Sequence, residues 1–122
     1  MKTMSEIRVL IVDDEKDFCL SFKDFLKSKA ITADVAFDGD SARHLIESNT
    51  YSIIFFDYNM PGITGIDLPK IIKEHSPDAK KILVTGYDLV DAKLKELLGL
   101  DALLRKPVKL ADLYRFIEAE KA

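Results

Sequence analysis

The chain has 122 residues, enough for one domain with one core. Its 48% apolar and 32% charged residues are ordinary for a globular protein, and 18 basic against 21 acidic residues leave a net charge of −3, with no general pull toward nucleic acid or an anionic membrane. No apolar run approaches a bilayer span, Met1–Glu6 lacks the apolar stretch of a secretory signal, and the single Cys19 cannot close an internal disulfide, a combination that predicts a reducing, cytoplasmic setting.

In chain order, Ile7–Val12 (IRVLIV) predicts a buried strand. Residues 15–28 place Phe18, Phe22, Phe25 and Leu26 on one face of an amphipathic helix, with Cys19 packed beside them as an inert thiol. Ile31–Phe37 predicts a second strand, and Asp40 a cap for a helix faced by Ala42, Leu45 and Ile46. Ser52–Phe56 is the third strand. Thr64-Gly65-Ile66-Asp67 resembles a capped helix start, with Leu68, Ile71 and Ile72 forming the face. Pro69 removes a hydrogen bond if that helix starts at Gly65 and is tolerated if it starts near Leu68. Ile82–Val84 is a fourth strand, and Asp88 predicts the cap of a helix bearing Val90, Leu94, Leu97 and Leu98. Leu100–Leu104 is a short fifth strand, and Lys109 opens a last helix with Leu110, Leu113, Tyr114 and Ile117 inward. His44 and His75 have no partner at metal-ligand spacing and read as surface residues.

Five β-then-α units with short connections predict an α/β domain: a five-stranded parallel sheet, doubly wound, with helices on both faces. In such folds the site lies just beyond the carboxyl ends of the strands. There the sequence places Asp13, Asp14 and Glu15 after the first strand, and Asp57 with Asn59 after the third. Thr85 and Gly86 follow the fourth, and Arg105, Lys106 and Pro107 the fifth. If the first and third strands are neighbours, Asp13, Asp14 and Asp57 converge, and two carboxylates ~4 Å apart repel by ~4 kcal/mol at an effective dielectric near ~20. A hard divalent cation such as Mg²⁺ and the Lys106 ammonium are natural compensating charges. Thr85 adds a hydroxyl for an anion, and Gly86 leaves the entrance open. These are the parts needed to move a phosphoryl group onto an aspartate. Singly, each residue has a plainer reading as helix cap, strand end or loop. Their common position at one end of the sheet is what argues for a site.

The stretches VLIVDDE (9–15), IIFFDYNMPGITG (53–65), LVTGY (83–87) and RKP (105–107) resemble the receiver domain of two-component response regulators, in order and over nearly the whole chain. The resemblance implies a flavodoxin-like fold with strand order 2-1-3-4-5 and a single receiver domain over 1–122, core about 6–120, with no output domain in this chain. It implies Asp57 as phosphoacceptor and Asp13, Asp14 and Asp57 as metal ligands for Mg²⁺ (or Mn²⁺), with Asp14 direct, Asp13 through water, and the Asn59 carbonyl completing the shell. Thr85 and Lys106 would then hold the phosphoryl group, with Lys106-Pro107 cis, while Asn59, Gly86 and Tyr87 tune its lifetime. The implied partners are a histidine kinase or histidine phosphotransfer protein as donor and a downstream protein or missing output domain as receiver of the signal. A homodimer through the fourth helix, fifth strand and last helix is also implied, with no direct nucleic acid or membrane contact.

Two positions depart from the family pattern. Leu103 stands where many receivers carry Tyr or Phe three residues before the lysine, and Val108 where many carry Phe after Lys-Pro. The chemistry is complete, but the usual aromatic relay is not. Three competing readings fit less well. An aspartyl-phosphate phosphatase usually carries D-x-D, and the second residue after Asp57 is Asn59; this chain also has no room for a substrate-selecting cap. A flavin carrier wants a phosphate-cradling first loop, and Asp-Asp-Glu repels phosphate. A phosphorylation-independent scaffold has no need of Asp57, Thr85 and Lys106 together. The protein is thus expected to be no enzyme beyond its own phosphorylation and slow dephosphorylation.

Overall fold

Runs such as VLIV and IIFF have no polar position to offer water, so they must be covered on both faces. The computed structural model describes residues 6–60, 62–64, 67–86 and 92–120 and meets that demand. In chain order the elements are β1 (Val9–Val12), α1 (Lys16–Ser28), β2 (Ala33–Ala36), α2 (Gly39–Ser48), β3 (Ile53–Phe56), β4 (Asn59–Met60) and β5 (Ile63–Thr64). There follow α3 (Leu68–His75), β6 (Lys80–Thr85), α4 (Ala92–Leu98), β7 (Ala102–Arg105) and α5 (Leu110–Glu118). The main sheet is wholly parallel in the order β2-β1-β3-β6-β7, which is 2-1-3-4-5 counting its five strands along the chain. The expected doubly wound α/β architecture is therefore present.

Alternation along each strand splits the core in two. Val9, Ile11, Ile53, Phe55, Ile82 and Val84 join Phe22, Leu26, Leu113 and Ile117 of α1 and α5. Leu10, Val12, Ile54, Phe56 and Leu83 join Ala42, Ile46, Leu68 and Ile72 of α2 and α3. Phe22 and Phe55 meet edge to face at 5.0 Å, pinning α1 to the central strand.

Some local readings are corrected, and the two alternatives for the start of the helix bearing Pro69 are decided. The residue capping α2 is Asp38, not Asp40: its backbone is extended (φ −150°, ψ 171°) and its carboxylate accepts the Ser41 N–H at 2.7 Å. Asp40 sits inside the first turn, where an acid favours the helix dipole. The helix after β3 begins at Leu68, so Pro69 falls in its first turn, where its missing N–H costs nothing. Thr64 belongs not to that helix start but to the antiparallel hairpin β4–β5, with Asn59 opposite Thr64 and Met60 opposite Ile63. α1 ends in a Schellman motif: the Ile31 N–H donates to the Leu26 carbonyl and the Ala30 N–H to that of Lys27, with Ala30 left-handed at φ 64°. Pro61, Gly65, Ile66, Tyr87, Asp88 and Val90 lie outside the described residues.

Candidate functional site

Parallel pairing in register brings the strand ends level. Val12 pairs with both Ala36 and Phe56, so Asp13 and Asp57 emerge side by side. Each extends the ladder by one bond: the Asp13 N–H donates to the Ala36 carbonyl and the Asp57 N–H to the Val12 carbonyl, both at 3.0 Å. The acids are thus held by backbone, in fixed positions.

Their side chains are held as well. One Asp13 oxygen accepts the Glu15 N–H at 2.9 Å, and the other accepts from the Lys106 ammonium at 2.6 Å. One Asp57 oxygen accepts the Tyr58 N–H at 2.7 Å, and the other faces Lys106 Nζ at 3.5 Å. The side chains of Asp13 and Asp57 are only 2% and 10% exposed, whereas Asp14 points into solvent. Carboxylate oxygens of all three lie within 4.8 Å of one another. At that separation a buried pair repels by ~3.5 kcal/mol at an effective dielectric of ~20.

Lys106 supplies the compensation among the described residues. Burial works against its charge, but its hydrogen bonds to Asp13 and Glu15 outweigh that and lift its pKa above the ordinary lysine value. Burial pushes the Asp13 carboxyl up, while Lys106 and the Glu15 N–H pull it back. Lys106 also donates to Glu15 at 2.8 Å and lies 5.0 Å from the centre of the Phe18 ring. Glu15 is thus part of the cluster, a role its position after the acidic pair did not reveal.

Thr85 ends β6 fully buried, and its carbonyl accepts the Lys106 N–H at 2.7 Å. The Lys106–Pro107 peptide is cis. A Cβ built on Gly86 meets nothing within 4 Å, and Gly86 borders an open pocket of about 440 Å³ walled by Glu15, Phe18, Lys106, Pro107 and Val108. The structure therefore brings Asp13, Asp14, Asp57 and Lys106 together, with Thr85 bonded to Lys106 through the backbone and Gly86 at the mouth. Asn59 starts β4 two residues past Asp57. Leu103 is half-buried against the α2–α3 side of the core, and Tyr87 lies outside the described residues.

Hard oxygens from three acids, two of them buried, fit a divalent metal. No helix among the described residues is long and apolar enough to cross a membrane.

Residues 9–118 match the family model for the response regulator receiver domain. The transcriptional regulatory protein TctD of Salmonella typhimurium is 29% identical over 108 residues, which are 88% of this chain and 48% of that protein. The chain thus spans about half the length of the curated relatives it matches. A CheY-like response regulator receiver domain protein from Methanospirillum hungatei superposes with a TM-score of 0.85 at 30% identity, covering 93% of this chain and 92% of that one. The response regulator TrrA of Thermotoga maritima, solved in complex with Mg²⁺ and BeF, gives a TM-score of 0.79 at 28% identity, covering 93% of this chain and 97% of that one.

Proposed function

The chain belongs to the response regulator receiver domain family, and on that premise we propose that Asp57 is the residue through which it receives its signal. A receiver domain of a two-component system is a phosphoacceptor module. In the proposed reaction an Asp57 oxygen attacks the phosphorus of a phosphohistidine. The P–N bond breaks, the imidazole leaves with the electron pair and takes a proton, and Asp57 carries an acyl phosphate. The observation that carries this reading is the three-acid cluster within 4.8 Å, with the Lys106 ammonium 3.5 Å from Asp57 at the edge of an open pocket.

The roles divide by position. Asp13, Asp14 and Asp57, with the Asn59 carbonyl, would hold Mg²⁺ (or Mn²⁺), which when bound neutralises charge on the phosphoryl oxygens. Lys106 is already an ammonium and pairs with the oxygens that arrive beside Asp57. Thr85 donates its hydroxyl to one of them. Gly86 keeps the approach clear, and Tyr87 and Asn59 set access of water to the acyl phosphate and hence its lifetime. Pro107 and Leu103 occupy switch positions of the family, and Leu103 lacks the aromatic ring of the usual relay. The protein's only chemistry is then its own phosphorylation and slow hydrolysis.

The donor we propose is a histidine kinase or histidine phosphotransfer protein in the cytoplasm. Because TctD is a transcriptional regulatory protein roughly twice this length, the readout we propose is an output domain or a separate downstream protein. A homodimer through α4, β7 and α5 is one way to reach it. The 122 residues act as one receiver unit.

Incubation with acetyl phosphate and Mg²⁺, followed by intact mass, tests the reading. One labile phosphoryl adduct is expected on the wild type, and none on Asp57→Ala or in excess EDTA. A wild type that stays unmodified would sink the proposal and favour the scaffold reading.

A further inference from the structure

Away from the acidic crevice, the gap between α3 and α4 is a groove of about 510 Å³, within the ~300–1,000 Å³ usual for binding clefts. Lys70 and Lys73 on α3 and Lys81 on β6 line it, against one acid, Glu96. Three cations to one anion reverses the sign of the chain as a whole, which is −3. No ion pair among the described residues engages any of these lysines, so their charge is available to a partner. Beside them on α4, Leu97 is 78% exposed. Leu20, at 47%, is the other large apolar side chain exposed among the described residues. Leu94, about one turn before it, and Leu98, the next residue, are half-buried, so Leu97 is the leucine of α4 left facing outward.

We infer that the α3–α4 groove docks an acidic segment of a partner protein, its carboxylates pairing with Lys70, Lys73 and Lys81 and an apolar side chain covering Leu97. Charge complementarity selects an anionic occupant, and the exposed leucine selects one with an apolar anchor. A nucleotide is a poorer fit, because the groove has no aromatic lining residue for a base to stack on. An anionic lipid surface is poorer too, since it is flat and these cations line a concavity. The groove shares no lining residue with the acidic crevice, so this inference stands or falls separately from phosphorylation of Asp57.

The test is amide chemical-shift titration of the full chain with a synthetic peptide of about a dozen residues, glutamates flanking two central leucines. Saturable shifts at Lys73, Lys81, Leu97 and Gly99 are expected. The Lys70→Glu/Lys73→Glu double variant should weaken binding about tenfold or more, as should glutamine in place of the peptide's glutamates. Both lysines are exposed, and circular dichroism checks that the variant is folded. Four results would each overturn the inference: no shift at those amides at about 1 mM peptide, unchanged binding by the double variant, equal binding of a leucine-free polyglutamate, or tighter engagement of the same amides by inorganic phosphate or phosphatidylserine vesicles.

Discussion

Replacing Gly39 by alanine should destabilise the protein, although Gly39 lies in a helix, where alanine is ordinarily the better residue. A Cβ on Gly39 would fall 2.2 Å from Ile63 Cγ2, 2.5 Å from Ile63 Cβ and 2.7 Å from the Ile63 backbone nitrogen. Overpacking of this kind costs ~1–3 kcal/mol. The propensity gain of alanine over glycine reaches ~1 kcal/mol in a helix interior and is smaller at the first helical residue. The balance is a loss of ~1–2 kcal/mol, a fall in melting temperature on the order of 5 °C for a domain of this size. Urea denaturation followed by circular dichroism measures it, with the midpoint falling and the slope unchanged. The double variant sharpens the test. Ile63→Ala removes Cγ2 but leaves Cβ and the backbone nitrogen in the way, so it should not rescue Gly39→Ala. An unchanged midpoint, or restoration in the Ile63→Ala background, would refute the argument that α2 and the hairpin meet backbone to backbone.

Three further outcomes are expected of the same fold. Ala30→Gly should stabilise by ~0.5–1 kcal/mol in the same assay, because Ala30 holds a left-handed φ of 64° at a position glycine occupies without strain; a loss of stability would contradict the Schellman geometry. Burial pushes the Cys19 thiol up to about 12, so at pH ~8 the native protein should react with iodoacetamide roughly a thousandfold more slowly than a free thiol, with full reactivity in urea; labelling at the free-thiol rate would place Cys19 elsewhere. Beryllofluoride with Mg²⁺ should shift the amide of Thr85 strongly and that of Leu103 little, and large changes across 88–104 would show that the output face responds without the family's aromatic.

β1 and β3 were legible because apolar runs without alternation have no other place in a domain this small, and the strand ends located Asp13, Asp57, Thr85 and Lys106. What escaped is what lacks a repeat. β4 and β5 are two residues each, too short for a period, and the hairpin read as the approach to a helix. Asp38 and Asp40 are equivalent by composition, and the extended backbone at Asp38 decides which one caps. No local pattern singles out Gly39, because its contact with Ile63 lies across the fold. Glu15 joins the site through a residue 91 positions away, which no local pattern encodes.

That distance has a consequence for the signalling input. Lys106 reaches Asp13 across 93 positions and Asp57 across 49, and Asp13 and Asp57 become neighbours only through β1–β3 pairing. No fragment and no partly assembled sheet contains the pocket. A chain still folding, or one that has lost β7, has an aspartate but no ammonium beside it, and under the proposed function it would be mute to a phosphoryl donor. On that reading the parallel sheet would work as a gate on competence: only molecules that have completed contacts such as Lys106 to Asp13, 93 positions apart, would hold the whole site.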